Sequence, residues 1–370
     1  MGHLVLAGGG HAHLTTLANI ATILERGHQL TVIGPSPEHY YSGMGPGMLG
    51  GTYRPAEIRF ATQTVVEDHG GRFIRDRVMQ IQAEAQTITL ASGQEIAYDV
   101  LSCNTGSQVA EDLLGPERTD IFTVKPIERL QQAQERVLEL AGRGRITIAI
   151  AGGGPSAAEI AGNLRQLTNR PSLKGKRPRI MIFAGHELMA RFPAAVKGRV
   201  IASLRRRGIE IIQQRVTAIR PGQVTTKSGT TPADLIFLAS GVKPSPLFHD
   251  SNLTTGPDGG LLVNRFLHSP DHPQIFGGGD CISFADQALD KVGVYAVRQN
   301  PILYHNLLAS LEGRPLEPFD PGGKYLLIFN LGEGEGVLHK GWLTFGGRLA
   351  FWIKDLIDRR FMRRFQAMEH

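Results

Sequence analysis

Two short glycine runs stand where a strand gives way to a helix, and each can offer main-chain N–H groups to an anion. The first is Leu4-Val-Leu-Ala-Gly8-Gly-Gly10-His-Ala-His13-Leu. Thr15 to Glu25 follows with apolar residues at helical spacing, and then comes the strand Gln29-Leu-Thr-Val-Ile33. Gly8 permits a tight turn, and Gly10 lets a helix N-terminus approach a pyrophosphate whose charge the N–H groups and the helix dipole favour. His13 stands where the third glycine of such turns would be, so strand and helix must pack through a bulkier contact. The acid that commonly ends the second strand and binds a ribose is also missing. Gly34-Pro35-Ser36 stands there, and Ser36 offers a weaker hydrogen bond.

A second copy repeats the design about 140 residues later, the strand–turn–helix context that such a motif requires. The strand Arg145-Ile-Thr-Ile-Ala-Ile150 runs into Gly152-Gly-Gly154-Pro-Ser-Ala157-Ala-Glu159, which opens a helix reaching about Leu167. The next strand, Arg179-Ile-Met-Ile-Phe183, again ends without an acid, at Ala184-Gly185. No obvious arginine for a 2′-phosphate stands there, although Arg191 lies close in sequence, and the choice between NADH and NADPH stays open. Each glycine run is followed some 90 residues on by a matching segment, Asp99 to Ser107 and Asp234 to Gly241. Both read as an aspartate, an apolar strand, a small hydroxyl residue and a glycine, the mark of a duplicated domain. Pro273 to Cys281 then reads as a strand ending in Asp280, and a helix is expected from about Gly293 through Gln299 to Leu308, with Pro301 near its first turn.

At 370 residues and 40.3 kDa the chain suits two or three domains. Glycine, at 45 residues, is enriched to about 12% against a usual ~7%. Two cysteines, Cys103 and Cys281, make neither a disulfide framework nor a four-cysteine zinc site. No apolar run reaches the ~18–20 residues of a spanning helix, and Met1 leads straight into a strand rather than a secretory signal. Gly2 is not followed by the Ser or Thr of a myristoylation motif, and the expected location is cytoplasmic. Of the net charge of +6, the stretch Lys340 to Gln366 carries seven basic and two acidic residues, so the basicity belongs to the tail.

The segments Gly8 to His13, Tyr41-Ser-Gly-Met-Gly-Pro-Gly47, Gly152 to Glu159, Gly278-Gly-Asp280 and Gly293 to Gln299 together resemble the two-dinucleotide flavoproteins, the pyridine nucleotide–disulfide oxidoreductases. Within that superfamily the chain is similar to type II NADH dehydrogenases, sulfide:quinone reductases and the flavoprotein module fused to selenophosphate synthetase. The resemblance implies an α/β fold of two Rossmann-like dinucleotide-binding domains, the NAD(P) domain inserted in the FAD domain, with a C-terminal amphipathic helical segment. The expected boundaries are 1–112 and 262–330 for FAD, 113–261 for NAD(P)H and 331–370 for the C-terminal segment. It implies that Gly8, Gly10 and His11 border the FAD pyrophosphate, Ser36 its adenosine ribose, and the Val78 backbone its adenine. Thr105, Gly106 and Gly279 would border the cofactor, Asp280 would accept from a ribityl hydroxyl, and Pro46 would give the isoalloxazine a backbone wall. Gly152, Gly154 and Gly241 would hold NADH or NADPH. Glu159 would face the nicotinamide, unless it is a solvated first-turn acid complementing the helix dipole. Gln299, at the helix aimed at the flavin, would lie where an electron acceptor enters.

Hydride transfer from NAD(P)H to flavin needs stacking geometry rather than a protein acid or base, so the acceptor is the open question. No CxxC or CxxxxC pair exists for disulfide chemistry, and Cys103 and Cys281 read as buried core thiols. His11 and His13 read as packing or pyrophosphate contacts rather than metal ligands, Lys125-Pro126 and Pro244-Ser-Pro246 as loop punctuation, and Lys243 as a candidate phosphate contact. Residues 346–366 set Leu349, Trp352, Ile353, Leu356, Ile357, Phe361 and Phe365 on one broad helical face, with Lys354, Asp358, Arg359, Arg363 and Arg364 elsewhere. This pattern suits a helix lying on the inner membrane face with a basic rim toward lipid phosphates, or packing in a homodimer. Aromatic and aliphatic residues among the charges argue against nucleic acid. The expected activity is transfer of hydride to FAD and two electrons onward to a quinone without proton pumping. A soluble reductase of a protein, sulfur or selenium substrate and a slow flavoprotein sensor stay as rivals.

Overall fold

The computed structural model describes residues 1–173 and 175–369 and is built on two five-stranded parallel sheets. In the first, the strands Ile275–Gly277, Val100–Cys103, His3–Ala7, Gln29–Gly34 and Arg72–Arg75 lie side by side in that order. In the second, the order is Ile121–Thr123, Leu235–Leu238, Thr147–Ala151, Arg179–Phe183 and Ile209–Ile212. In both sheets the strand entering a glycine turn is central, with its successor on one side and the aspartate-led strand on the other. That shared arrangement is the duplication read from spacing, and the α/β class with two nucleotide-binding sheets is as expected. The central strands are apolar runs without an exposed residue, as expected of parallel strands covered on both faces.

The chain crosses from one sheet to the other and back through a short antiparallel pair, Ser107–Val109 with Val242–Pro244. Beyond that pair Leu247, Phe248, Leu253 and Leu261 pack into the apolar core of the first domain. Packing therefore returns the chain to the first domain close to Pro244, earlier than residue 261. The last boundary shifts as well. Leu327–Asn330 pairs with Gly336–Lys340, which pairs in turn with Leu343–Gly347, so the C-terminal layer begins ahead of residue 331. The helix Arg348–Gln366 lies across this small sheet. The helix expected near Gly293 runs from Gly293 to Leu311 and contains Pro301 beyond its first two turns.

The first glycine turn shows how His13 replaces a glycine. Gly8 N–H donates to the Ile33 carbonyl, which closes the turn against the second strand. The His13 ring, fully buried, lies between turn and sheet, with Nδ1 2.6 Å from the Gly8 carbonyl and Nε2 2.8 Å from Ser102 Oγ. A carbonyl only accepts, so Nδ1 carries the proton and Nε2 accepts from the Ser102 hydroxyl. Burial pushes the imidazole down to about 4, against the opposing pull of the Gly8 carbonyl. The imidazole thus pins the turn to the strand Val100–Cys103 in place of the close helix–strand packing a glycine allows. We expect His13→Gly, although it restores the usual motif residue, to lower stability by about 2–4 kcal/mol through a cavity and two lost hydrogen bonds. A neutral native histidine loses stabilising effect as pH falls from about 6.5 toward 4, because the unfolded chain binds the proton first. Thermal melts of both proteins should therefore show the wild-type margin narrowing over that interval.

Candidate active site

Asn104, which no sequence motif singles out, is the centre of the first cradle. A Cβ built on Gly8 or Gly10 would collide with Asn104, its backbone carbonyl in the first case and its Oδ1 in the second. The amide Nδ2 donates to the Gly278 carbonyl at 2.6 Å, and the same group closes on Gly279. One side chain thereby sets the distance between the first glycine turn and the Gly278-Gly279-Asp280 turn. Gln299 is buried and its Oε1 accepts from the Gly279 N–H at 2.7 Å. That contact makes it a positioning group beneath the turn, with no open approach for an acceptor at its side chain.

Asp280 is partly buried, and its Oδ2 accepts from Lys125 Nζ at 2.7 Å and from Ser107 Oγ at 2.8 Å. Lys125, read from sequence as loop punctuation ahead of a proline, is therefore part of the site. Its distance in sequence from Asp280 hid the pairing. Gly106 is left-handed with open space where a side chain would point, and Thr105 beside it is exposed. Ser36 Oγ accepts from the Glu38 N–H at 3.2 Å, a local turn that leaves its hydroxyl hydrogen available. Val78 begins the strand Val78–Gln82 and is only partly buried.

In the second domain a Cβ on Gly152 would strike the Ala239 carbonyl, so the glycine turn and the segment leading to Gly241 are in contact. Gly154 caps the helix Pro155–Thr168 and faces open space, as does Gly241. A helix N-terminus of this length with unobstructed main chain is suited to an anionic group.

The two cradles meet at a polar seam. Pro46 lies in the short buried helix Gly45–Leu49, which is wedged against the second domain; Gln134 donates to the carbonyls of Met48 and Leu49 there, and Gln166 to that of Gly50. The Pro46 carbonyl is taken by the Gly50 N–H. Its surroundings are those of an inter-domain wedge. Glu159 sits on the facing helix, and its Oε1 accepts from the Asn330 N–H at 2.8 Å. Some of its surface reaches solvent, yet burial pushes its carboxyl up to about 7, with Lys354 and the Asn330 amide opposing and Asp358 reinforcing the rise. It is thus no solvated first-turn acid.

Lys354 and Asp358 come from the C-terminal helix, where the sequence pattern put them off the broad apolar face, among the charges of the rim. They lie instead on the buried side, together with Ala350, Met362 and Phe365. Lys354 Nζ donates to Asp358 Oδ2 at 2.6 Å and to the Gly43 carbonyl at 2.9 Å, and Tyr41 Oη donates to Asp358 Oδ1 at 3.1 Å. Burial raises the Asp358 carboxyl despite Lys354, and raises the Tyr41 phenol. Phe361 from the same helix stacks on His11, whose ring also meets Tyr41 and has Nδ1 3.2 Å from His39 Nε2. Burial lowers both imidazoles, with Lys125 adding to the effect. Arg359 is held by Glu57 and Asp355. The apolar residues that remain exposed are Leu349, Trp352, Leu356 and Ile357, joined by Leu343 and by Trp342, which is 93% exposed at the hairpin tip. Arg348, Arg360, Arg363 and Arg364 are the exposed cations of this helix.

Cys103 and Cys281 are both fully buried, and Cys281 Sγ donates to the Cys103 carbonyl. Burial pushes both thiols up, which disfavours the reactive thiolate. Among the described residues no His, Cys, Asp or Glu cluster suits a metal.

Two parallel sheets, each with a glycine turn at its central strand, joined by a crossover and closed by a polar seam, define a two-dinucleotide oxidoreductase scaffold. The chain belongs to the pyridine nucleotide-disulphide oxidoreductase family, whose model matches residues 2–306. It is 25% identical over 387 residues to the demethylphylloquinone reductase NdbB of Synechocystis sp., covering 99% of this chain and 93% of that one. It is 24% identical over 394 residues to the sulfide-quinone reductase of Aquifex aeolicus, covering 97% and 90%. In fold it is similar to NDH2 from Plasmodium falciparum in complex with NADH, with a TM-score of 0.79 at 13% identity over 98% and 99% of the two chains.

As a member of this family the protein binds FAD and uses NAD(P)H. The first cradle fits FAD: beside its glycine turn, His11 Nε2 and Thr62 Oγ1 are buried without a protein partner, and Gly9 approaches Thr62 directly. A long polar ligand lying over the turn would satisfy both groups.

The seam makes a stability prediction. Lys354→Met leaves Asp358 buried without its cation and should cost about 3–5 kcal/mol, while adding Asp358→Asn should recover a large part of that loss. Denaturant unfolding of the holoprotein measures both. Glu159 predicts a pH effect of opposite sign to His13: a raised carboxyl stabilises below about 4.5 and loses that contribution as pH rises toward 7. Wild type should therefore lose stability relative to Glu159→Gln across that range.

Proposed function

We propose that the protein is a non-proton-pumping, FAD-dependent NAD(P)H dehydrogenase that delivers two electrons to a quinone at the inner membrane surface. The observation that carries the reading is the two-sided C-terminal helix. Its outer side exposes Leu349, Trp352, Leu356 and Ile357, while its inner side sets Lys354, Asp358 and Phe361 against Tyr41, Gly43 and His11. An apolar acceptor dissolved in lipid would be met by the element that also completes the polar seam. The near full-length likeness to a demethylphylloquinone reductase supports the same acceptor class. The burial of both thiols weighs against a sulfur-carrying reductase.

In this reading the Gly8–Gly10 turn and His11 hold the FAD pyrophosphate, Ser36 its adenosine ribose and the Val78 backbone its adenine. Thr105, Gly106 and Gly279 border the cofactor, and Asp280, fixed by Lys125 and Ser107, accepts from a ribityl hydroxyl. Gly152, Gly154 and Gly241 hold NAD(P)H. FAD when bound supplies hydride acceptance and a two-electron store. Reduction of a quinone to a quinol also takes up two protons. Glu159 is suited to hand one on, because its carboxyl exchanges a proton near neutrality. The Lys354 ammonium, held by Asp358 and the Gly43 carbonyl, stabilises the carboxylate left behind. Pro46 and Gln299 act through packing and main-chain positioning.

No described helix is long and apolar enough to cross a membrane, so docking would be interfacial. Of the basic rim expected from sequence, Lys354 and Arg359 are engaged within the protein. Arg348, Arg360, Arg363, Arg364 and Lys340 remain, each contributing about 1 kcal/mol near an anionic surface.

Anaerobic spectra test the activity: NADH or NADPH should bleach the flavin bands and a short-chain quinone should restore them. Flavin that stays oxidised with both nucleotides would remove the dehydrogenase reading. The variant Trp342→Ser/Trp352→Ser should sediment less with anionic vesicles while its flavin is still bleached; equal sedimentation would remove the membrane reading alone.

A further inference from the structure

We infer that the second domain is built for a nucleotide carrying a 2′-phosphate, so that NADPH is the preferred hydride donor, with Arg191 and Arg215 as the groups that select it. The inference rests on the assignment of NAD(P)H to the second domain and concerns the far end of that site from the seam. In a Rossmann-like domain the ribose 2′ position lies at the end of the second strand, where an acid binds a free 2′-hydroxyl or an arginine accommodates a 2′-phosphate. Here that strand is Arg179–Phe183, and Phe183 accepts from the Gly152 N–H of the glycine turn at 3.0 Å.

The two segments that flank the strand end are both anchored to it. On one side, the Met189 N–H donates to the Gly153 carbonyl at 2.7 Å, and Gly153 packs against the Ala184 and Glu187 carbonyls. The segment 184–189 is thus folded back over the glycine turn, and Arg191 leaves it two residues later, exposed. On the other side, the Gly185 N–H donates to the Gln214 carbonyl at 3.1 Å, which brings the exposed Arg215 next to the strand end. The sequence did not show this second arginine, because it arrives from the following strand, Ile209–Ile212, through the sheet pairing of Phe183 with Ile212.

The acid that could oppose a phosphate is neutralised. Glu187, the only acid between Phe183 and Arg191, has both carboxylate oxygens on Lys197 Nζ, at 3.0 and 2.9 Å. Arg179 is paired with Glu210 and Arg206 with Glu335, whereas Arg191 and Arg215 form no ion pair among the described residues. His186, exposed in the segment between Phe183 and Arg191, adds a third nitrogen donor near this strand end. Ala184 and Gly185 offer no carboxylate for a free 2′-hydroxyl and no side chain to block a phosphate. Guanidiniums arriving from the segments on either side of the strand end would supply the charge-assisted bidentate bonds that a phosphate dianion favours.

The test uses redox-inert fragments on the FAD-loaded full-length protein, with calorimetric titration of 2′,5′-ADP and of 5′-AMP. We expect 2′,5′-ADP to bind at least about tenfold more tightly, with a strong dependence on salt. Arg191→Ala and Arg215→Ala should each bring the affinity ratio toward one, Arg191→Lys should keep part of it, and the kcat/KM ratio of NADPH over NADH should fall in parallel. Equal binding of the two fragments, or a ratio that survives both substitutions, overturns the selectivity. If NADH and NADPH bleach the flavin equally well, the selectivity falls while the dehydrogenase reading stands. If neither fragment and neither dinucleotide binds, both fall together.

Discussion

The ammonium of Lys354 ties together three parts of the chain that are remote in sequence. It reaches the Gly43 carbonyl of the first domain, Asp358 on its own helix and the field of Glu159 on the second domain. A buried cation needs such partners, because desolvation otherwise outweighs any packing it brings. The register of the C-terminal helix is therefore set by charge: only one rotation and one height place Lys354 and Asp358 inside and leave Leu349, Trp352, Leu356 and Ile357 outside. The apolar outer surface and the polar inner seam are two results of one constraint, and neither can be altered without moving the other.

Close main-chain approach does comparable work in the nucleotide cradles. Asn104 fills the room that Cβ atoms on Gly8, Gly10 and Gly279 would claim, and bonds to Gly278 as well. Gly152 meets Ala239 in the second domain, but Gly154 there looks onto open space. The first cradle is thus braced by a side-chain amide and by His13, whereas the second is open at its helix N-terminus. A cofactor that stays and a nucleotide that comes and goes call for just such a difference in rigidity.

Much of the fold could be read from local pattern. Strand, glycine turn and helix are contiguous, so their spacing survives in the sequence, and the repeat at Asp99 and Asp234 placed the duplicated sheets correctly. Long-range partners left no such trace. Asn104, Lys125 and Arg215 gained roles only when the fold set them beside Gly10, Asp280 and Gly185. The C-terminal helix misled for a physical reason. Helical spacing identifies an apolar stripe but does not say whether that stripe faces protein or water, and here a buried ion pair claims the inner side. Domain limits moved for a related reason, since Leu247, Phe248 and Leu327–Asn330 declare their allegiance through contacts alone.

The insertion of one domain within another also has a consequence for the nascent chain. Ile275–Gly277 is the edge strand that covers Val100–Cys103 in the first sheet. At synthesis rates of about 5–20 residues per second, the roughly 170 residues between them occupy the ribosome for some ten to thirty seconds. Throughout that interval the strand Val100–Cys103 emerges with one hydrogen-bonding edge unpaired, a template for any other extended segment nearby. The second sheet lies entirely within the delay and can close first, so the inserted domain matures before the domain that encloses it.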